Sequence, residues 1–111
     1  MSNSYTIIIS PAAQEDVYNI YRYIAFELKT DIAAQRLYDR IISMIDSLEK
    51  MPERHPLVDW EPWKSLNIRK VPVENFMIFY SVNISEHIVS ILRIFYGGQN
   101  VEELIDYSKD Y

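Results

Sequence analysis

The stretch LNIRKVPVENFMIFYSVNISEHIVSILRIFYGG, residues 66–98, decides the fold of this chain. It contains three runs that are rich in Ile, Val, Phe and Tyr, at residues 66–73, 76–83 and 88–96, and short polar segments separate them. β-Branched and aromatic residues in short runs are typical of strands. The stretch therefore predicts an antiparallel strand meander. Pro72 has no N–H to donate, which predicts that the first of these strands is an edge strand or contains a bulge.

The last of these strands is apolar on both faces. Alternation along a strand assigns odd-numbered residues to one face, namely Val89, Ile91, Arg93 and Phe95, and even-numbered residues to the other. A strand that is apolar on both sides is covered on both sides. We expect one face of the sheet to carry the chain's own helices and the other something less obvious, such as a partner chain.

Upstream of the meander, the pattern predicts a short strand and two helices. Residues 5–9 are β-rich, and Ser10 and Pro11 then suit the cap and the first position of a helix. Apolar residues at spacings of three and four continue this helix to about residues 28–30. A second helix follows, capped by Thr30 or Asp31, and Pro52 forbids its continuation. So short a connection predicts an antiparallel αα-hairpin.

Two further segments complete the chain. Residues 52–65 hold three of the five prolines and both tryptophans, which predicts a loop pinned by aromatic side chains. After Gly97 and Gly98, Asn100 and Glu103 have the spacing of a helix start and predict a short C-terminal helix. The expected fold is α+β, with an N-terminal strand and an αα-hairpin packed on the meander, in one domain spanning residues 1–111.

Composition and charge narrow the range of functions. The chain has no cysteine, which excludes disulfides and thiolate-bound metals. It has no run long enough to span a membrane, so a cytoplasmic protein is expected. The formal net charge of −5 argues against broad non-specific binding of nucleic acid, which requires a basic surface. His55 and His87 have no partners at ligand spacing, so we expect both in solvent, with neither a metal site nor a cofactor.

The residues that can support chemistry are cations and phenols of the meander. They are Lys64, Arg69, Lys70, Tyr80, Arg93 and Tyr96. Cleavage of RNA by its own 2′-hydroxyl needs a proton acceptor, a proton donor and a cation that stabilises the phosphate, and these residue types can supply all three without a metal. The alternative is structural: the arginines pair with acidic side chains, and the tyrosines fill the core with their hydroxyls at its rim.

Four segments of the chain together resemble the RelE/ParE superfamily of bacterial type II toxins. They are SPAAQEDVYNIYRYI (10–24), SLEKMPE (47–53), EPWKSLNIRKVPVENFMIFYSV (61–82) and VSILRIFYGGQNVEELI (89–105). The most specific parts are Arg69 with the following Phe76-x-Ile78-x-Tyr80, and the last strand ending in Arg93-x-x-Tyr96-Gly97-Gly98. The resemblance implies a toxin that arrests growth until a cognate antitoxin binds it, as a toxin–antitoxin hetero-oligomer.

The superfamily acts on two targets. RelE-like members cut mRNA on the ribosome, and ParE-like members bind and trap DNA gyrase. The resemblance places Arg69, Arg93 and Tyr96 in the family's pattern. This chain departs from that pattern in having Tyr96 where relatives commonly have histidine, and Gln99 and Asn100 where a basic residue usually follows the glycines. These departures and the acidic charge favour gyrase inhibition. An mRNA endoribonuclease, or a degenerate toxin that only binds its antitoxin, is the alternative.

Overall fold

The computed structural model describes residues 4–27 and 29–97. Strand β1 spans Thr6–Ile9, helix α1 Pro11–Arg22, helix α2 Asp31–Ser47, and strands β2, β3 and β4 Arg69–Val73, Phe76–Asn83 and Ile88–Tyr96. A π-helical turn, Tyr23–Glu27, extends α1, and a 3-10 turn, Pro52–Arg54, lies between α2 and β2. The predicted α+β order of elements is confirmed. The predicted C-terminal helix lies outside the described residues.

The four strands form one mixed sheet in the order β1-β4-β3-β2. The meander β2-β3-β4 is antiparallel, as predicted, and β1 pairs with β4 in parallel. Strand β2 is an edge strand, which confirms the expectation from Pro72. It begins at Arg69 rather than at Leu66, because Leu66 and Asn67 belong to a turn in which Asn67 has a φ of 59°.

Both helices begin where the sequence predicted. The hydroxyl of Ser10 accepts a hydrogen bond from the N–H of Ala13 at 3.0 Å, and Pro11 occupies the first position of α1. The hydroxyl of Thr30 accepts from the N–H of Ala33 and caps α2. Helix α2 ends at Ser47, before Pro52, and Leu48 is its C-cap. None of the described helices is long and apolar enough to cross a membrane.

The main core lies between the helices and one face of the sheet. Its buried residues are Ala13, Leu37, Ile41, Ile45, Leu48, Val71, Val73, Ile78, Tyr80, Val89, Ile91 and Ile94. We call this face of the sheet the helix face and the opposite one the outer face. The helical spacing of the apolar residues in α2 buries Ala34, Leu37, Ile41 and Ile45 on one side of that helix.

A bulge in β4 changes which residues share a face. Tyr80 pairs with Ile91 and Phe79 pairs with Arg93, so Leu92 is an extra residue in β4. Strict alternation, which grouped Ile91 with Arg93, is therefore wrong. Arg93 lies opposite Phe79 on the outer face, whereas Ile91 remains in the main core. One inserted residue moves every later side chain of a strand to the other face.

The outer face is covered by this chain's own loop. Val58, Trp63 and Ile68 pack against strand residues Phe79, Leu92 and Phe95 in a second cluster, in which all six are buried. Two backbone hydrogen bonds hold the loop in place: Val58 N–H donates to the carbonyl of Ile68, just before β2, and Lys70 N–H of β2 donates to the carbonyl of Pro56. Two apolar faces therefore do not require a partner chain here, since the tryptophan-containing loop forms the second layer.

Candidate functional site

Arg69, the first residue of β2, binds the turn at the start of the loop. Its Nη1 donates to the carbonyl of His55 at 2.6 Å and to the carbonyl of Glu53 at 3.1 Å. Its Nη2 lies 3.7 Å from the carboxylate of Glu53. All of these partners belong to residues 52–55, which we call the proline turn. The guanidinium of Arg69 is therefore engaged in binding the proline turn to the edge of the sheet.

Tyr80 of β3 pairs with Arg69 of β2 and is fully buried. Its hydroxyl donates to the carbonyl of Pro52 at 2.5 Å. Burial raises the pKa of Tyr80 to about 12, against the opposing influence of the Arg69 and Arg54 guanidiniums. The phenol therefore keeps its proton at neutral pH and donates it in the hydrogen bond to Pro52.

The proline turn adds two residues that sequence reasoning did not assign to a site. Arg54 caps the end of α2, because its Nη1 donates to the carbonyl of Lys50 at 2.6 Å and its Nη2 to the hydroxyl of Ser47 at 3.0 Å. The His55 ring lies edge-on to Tyr80, with centroids 6.4 Å apart. His55 is half-buried and not in solvent as expected. The available signal was Pro52 and Pro56, which restrict the backbone on both sides of these residues.

Arg93 on β4 forms an ion pair with Asp16 of α1. Its Nε lies 2.7 Å from Asp16 Oδ2, and its Nη2 lies 2.9 Å from Oδ1. The same carboxylate accepts a hydrogen bond from the backbone N–H of Ile94 at 2.9 Å. This pairing arises because β1 ends at Ile9, which pairs with Ile91 of β4. After Ile91, this edge of β4 faces α1 instead of β1. The guanidinium also lies over the Phe95 ring, 4.3 Å from its centroid.

The other three candidate residues lie elsewhere. Lys70 is on the outer face, where its Nζ lies 6.0 Å from the centre of the Trp60 ring, and Lys64 is exposed in the loop. Tyr96 is 49% exposed and packs edge-on against Phe76. The register puts Tyr96 beside Phe76 and Arg69 beside Tyr80. These two rows are four residue steps apart along β3, from Phe76 to Tyr80, a distance of about 13 Å.

The structure thus brings together two of the six candidates, Arg69 and Tyr80, and adds Arg54 and His55 to them. Lys64, Lys70, Arg93 and Tyr96 do not join this group. Gly97, whose N–H donates to the carbonyl of Asn75 at 2.7 Å, closes on the β2–β3 hairpin. Gln99 and Asn100 lie outside the described residues. Within the described ranges, no three side chains of types that bind metal ions come together.

A second feature is an apolar groove between the two helices, with a volume of about 390 Å³. It is lined by eight uncharged residues, Ile9, Gln14, Val17, Tyr18, Tyr21, Gln35, Tyr38 and Ile42. Strand β1 is the last strand of the sheet on this side. Thr6 and Ser10 donate their N–H groups to carbonyls of His87 and Ile91, so the alternate amides of Ile7 and Ile9 point away from β4. The groove therefore adjoins a sheet edge that is partly occupied, since the carbonyl of Ile9 accepts from the side chain of Gln14 and the N–H of Tyr5 donates to the carbonyl of Glu49.

Comparison with solved structures shows the same fold in three toxin–antitoxin complexes. The chromosomal ParDE system from P. aeruginosa has a TM-score of 0.69 and 19% identity, covering 86% of this chain and 98% of that chain. The RelBE2 complex from Mycobacterium tuberculosis has a TM-score of 0.64 and 15% identity, covering 84% and 91%. The RelE–RelB complex from Pyrococcus horikoshii OT3 has a TM-score of 0.59 and 19% identity, covering 86% and 98%.

Comparison of sequences identifies the family. No curated protein matches the chain significantly. The family model described as the ParE toxin of the type II toxin–antitoxin system, parDE, matches residues 7–101. This match covers β1 from Ile7 onward, both helices and the other three strands. The chain therefore belongs to the ParE toxin family of type II toxin–antitoxin systems, within the RelE/ParE superfamily that the sequence resembles.

Proposed function

We propose that this protein arrests growth by binding DNA gyrase, and that a cognate antitoxin neutralises it by binding the groove between its helices. The ParE family supports this target over the ribosome. One structural observation carries the choice. Among the cations and phenols that would cleave RNA, Arg69, Tyr80 and Arg93 are engaged in holding the fold together. Arg93 and the exposed Tyr96 lie apart from the Arg69 and Tyr80 pair.

Each requirement of a metal-independent nuclease can be compared with these contacts. A general base or acid must exchange its proton near neutral pH, whereas the hydroxyl of Tyr80 is buried and its pKa is raised to about 12. A cation that stabilises phosphate must reach the substrate, whereas Arg69 binds two carbonyls and Arg93 binds Asp16. The exposed Tyr96 lies at the other end of the sheet. These contacts favour inhibition by binding.

The gyrase proposal is tested with purified components. The protein, added to DNA gyrase and relaxed plasmid, is expected to inhibit supercoiling in proportion to its concentration. Added antitoxin provides the matched control and should restore supercoiling. Unchanged supercoiling at a large molar excess of the protein would contradict the proposal.

The groove supports the antitoxin as partner, since its uncharged lining fits an apolar segment of another protein and the adjoining edge of β1 can bind extended backbone. The similar structures from M. tuberculosis and P. horikoshii are toxin–antitoxin complexes, and the one from P. aeruginosa is of a ParDE toxin–antitoxin system. We infer a hetero-oligomer of one single-domain toxin with its antitoxin in the cytoplasm.

Tyr18→Asp tests the groove. Tyr18 is 60% exposed, so the substitution should preserve the fold while placing a charge in an apolar site. The variant is expected to arrest growth and to resist rescue by co-expressed antitoxin. Tyr23→Asp is the control, because Tyr23 is similarly exposed, at 58%, and does not line the groove. Equal rescue of both variants would exclude this groove as the antitoxin site.

One observation favours the alternative, an mRNA endoribonuclease acting on the ribosome. Arg54, His55, Arg69 and Tyr80 form a group whose residue types match those of metal-independent nucleases. Codon-periodic mRNA cleavage by the wild type, lost in His55→Phe while the variant remains folded, would support this alternative. A chain that binds antitoxin and leaves growth unaffected would be a degenerate toxin.

A further inference from the structure

The imidazole of His55 occupies a position that favours its neutral form. Its Nε2 is buried and has no hydrogen-bond partner among the described residues. A neutral ring can leave one nitrogen without a proton, whereas a protonated ring carries an N–H on each nitrogen. Protonation would thus create a buried donor without an acceptor, which destabilises the folded state.

The two guanidiniums near His55 act in the same direction as its burial. Arg54 precedes it in the proline turn, Arg69 faces it from β2, and Tyr80 faces it from β3. The two guanidiniums are fixed by carbonyls, Arg54 by Lys50 and Arg69 by the proline turn itself. The carboxylate of Glu53 is close to Arg69, at 3.7 Å. Desolvation, then Arg54, then Arg69 lower the pKa of His55 below its ordinary value of 6.5.

We propose that His55 is an acid-sensitive contact: while its ring is neutral the proline turn lies against the sheet, and protonation of the ring releases the turn from β2 and β3. The contacts that would be lost are Arg69 to the carbonyls of Glu53 and His55, and Tyr80 to the carbonyl of Pro52. The N–H of Lys70, which donates to the carbonyl of Pro56 directly after this turn, would then exchange with solvent. This device is independent of the toxin's cellular target.

The sign of the pH effect follows from linkage. A histidine with a lowered pKa in the folded state binds its proton first in the unfolded state. Its contribution to stability is therefore complete above pH 6.5 and is lost as the pH falls from there through the folded-state pKa of His55.

The experiment compares wild type, His55→Phe and His87→Gln at pH 8 and pH 5. For the wild type, the denaturant concentration at the unfolding midpoint should be lower at pH 5 than at pH 8. Its Lys70 amide should also lose protection from hydrogen exchange at pH 5. In His55→Phe the midpoint should fall less between pH 8 and pH 5, and the Lys70 amide should stay protected, because Phe fills the site and cannot be protonated. His87→Gln should behave as wild type, because His87 stacks on Tyr5 outside the turn.

Titration of the wild-type His55 ring by NMR gives a readout that requires no variant, and it should show a midpoint below 6.5. A midpoint at or above 6.5 would overturn the proposal. An equal fall in the unfolding midpoint of wild type and His55→Phe between pH 8 and pH 5 would also overturn it.

Discussion

At the scale of single residues, Arg69, Tyr80 and Arg93 of the meander make contacts that hold the fold together. Tyr80 shows this clearly, since its ring fills the core and its hydroxyl binds the carbonyl of Pro52. The sequence allowed two interpretations of this residue, a catalytic phenol or a core phenol with its hydroxyl at the rim. In the structure the hydroxyl is buried with the ring and donates to a backbone carbonyl. Sequence alone could not decide because the partner, Pro52, is 28 residues away.

Tyr80→Phe should lower the free energy of unfolding by about 1–3 kcal/mol, because it leaves a buried carbonyl without its donor. A pKa of about 12 in the folded state, above the ordinary 10.0, means that the unfolded chain loses this proton first as pH rises. The stability contributed by Tyr80 is thus complete below pH 10 and is lost from there towards pH 12. Denaturant unfolding at pH 8 and pH 11 measures this loss.

Tyr23→Phe is the control for Tyr80→Phe, since Tyr23 is largely exposed. It should unfold as wild type does at both pH values. If Tyr80→Phe also retains the full alkaline loss of wild type, the assigned environment of Tyr80 is wrong.

At the scale of elements, the order of strands and helices was predictable because it rests on local patterns. Ser10 and Pro11 define the start of α1, and Pro72 defines an edge strand. The bulge at Leu92 was not predictable, because an extra residue in β4 is visible only in its pairing with β3. The cover of the outer face by Trp63 also depends on contacts between distant segments, which periodicity does not report.

Asp16 is the main polar connection between α1 and β4, and it gives a prediction at this scale. Asp16→Ala should lower the free energy of unfolding by about 3 kcal/mol, because the largely buried Arg93 loses the carboxylate with which it forms its ion pair. Arg93→Ala should lower the free energy of unfolding much less in the Asp16→Ala variant than in the wild type. A double-mutant cycle with denaturant unfolding measures this difference.

The ion pair of Arg40 with Glu74 is the matched control for Asp16 and Arg93. Its side chains are 59% and 43% exposed, against 18% and 12% for Arg93 and Asp16. Arg40→Ala should therefore change stability by at most about 1 kcal/mol. Additive losses at Asp16 and Arg93 would mean that the two residues stabilise the fold independently.

At the scale of the whole molecule, the fold offers an uncharged groove on one side and a cluster of engaged cations on the other. The family could be inferred from the sequence because its motifs span most of the chain. The arrangement of Arg69, Arg93 and Tyr96 could not, since it depends on strand register and on which partners each side chain meets. The groove was also missed, because its lining comes from β1 and both helices.

The most direct test of the central claim is induction of the protein in bacteria without its antitoxin, with mRNA ends and gyrase-linked DNA breaks mapped in the same culture. A toxin that acts by binding gyrase should produce the DNA breaks, stop growth and leave mRNA intact. Codon-periodic mRNA cuts without DNA breaks would contradict this account and would assign the protein to the ribosome.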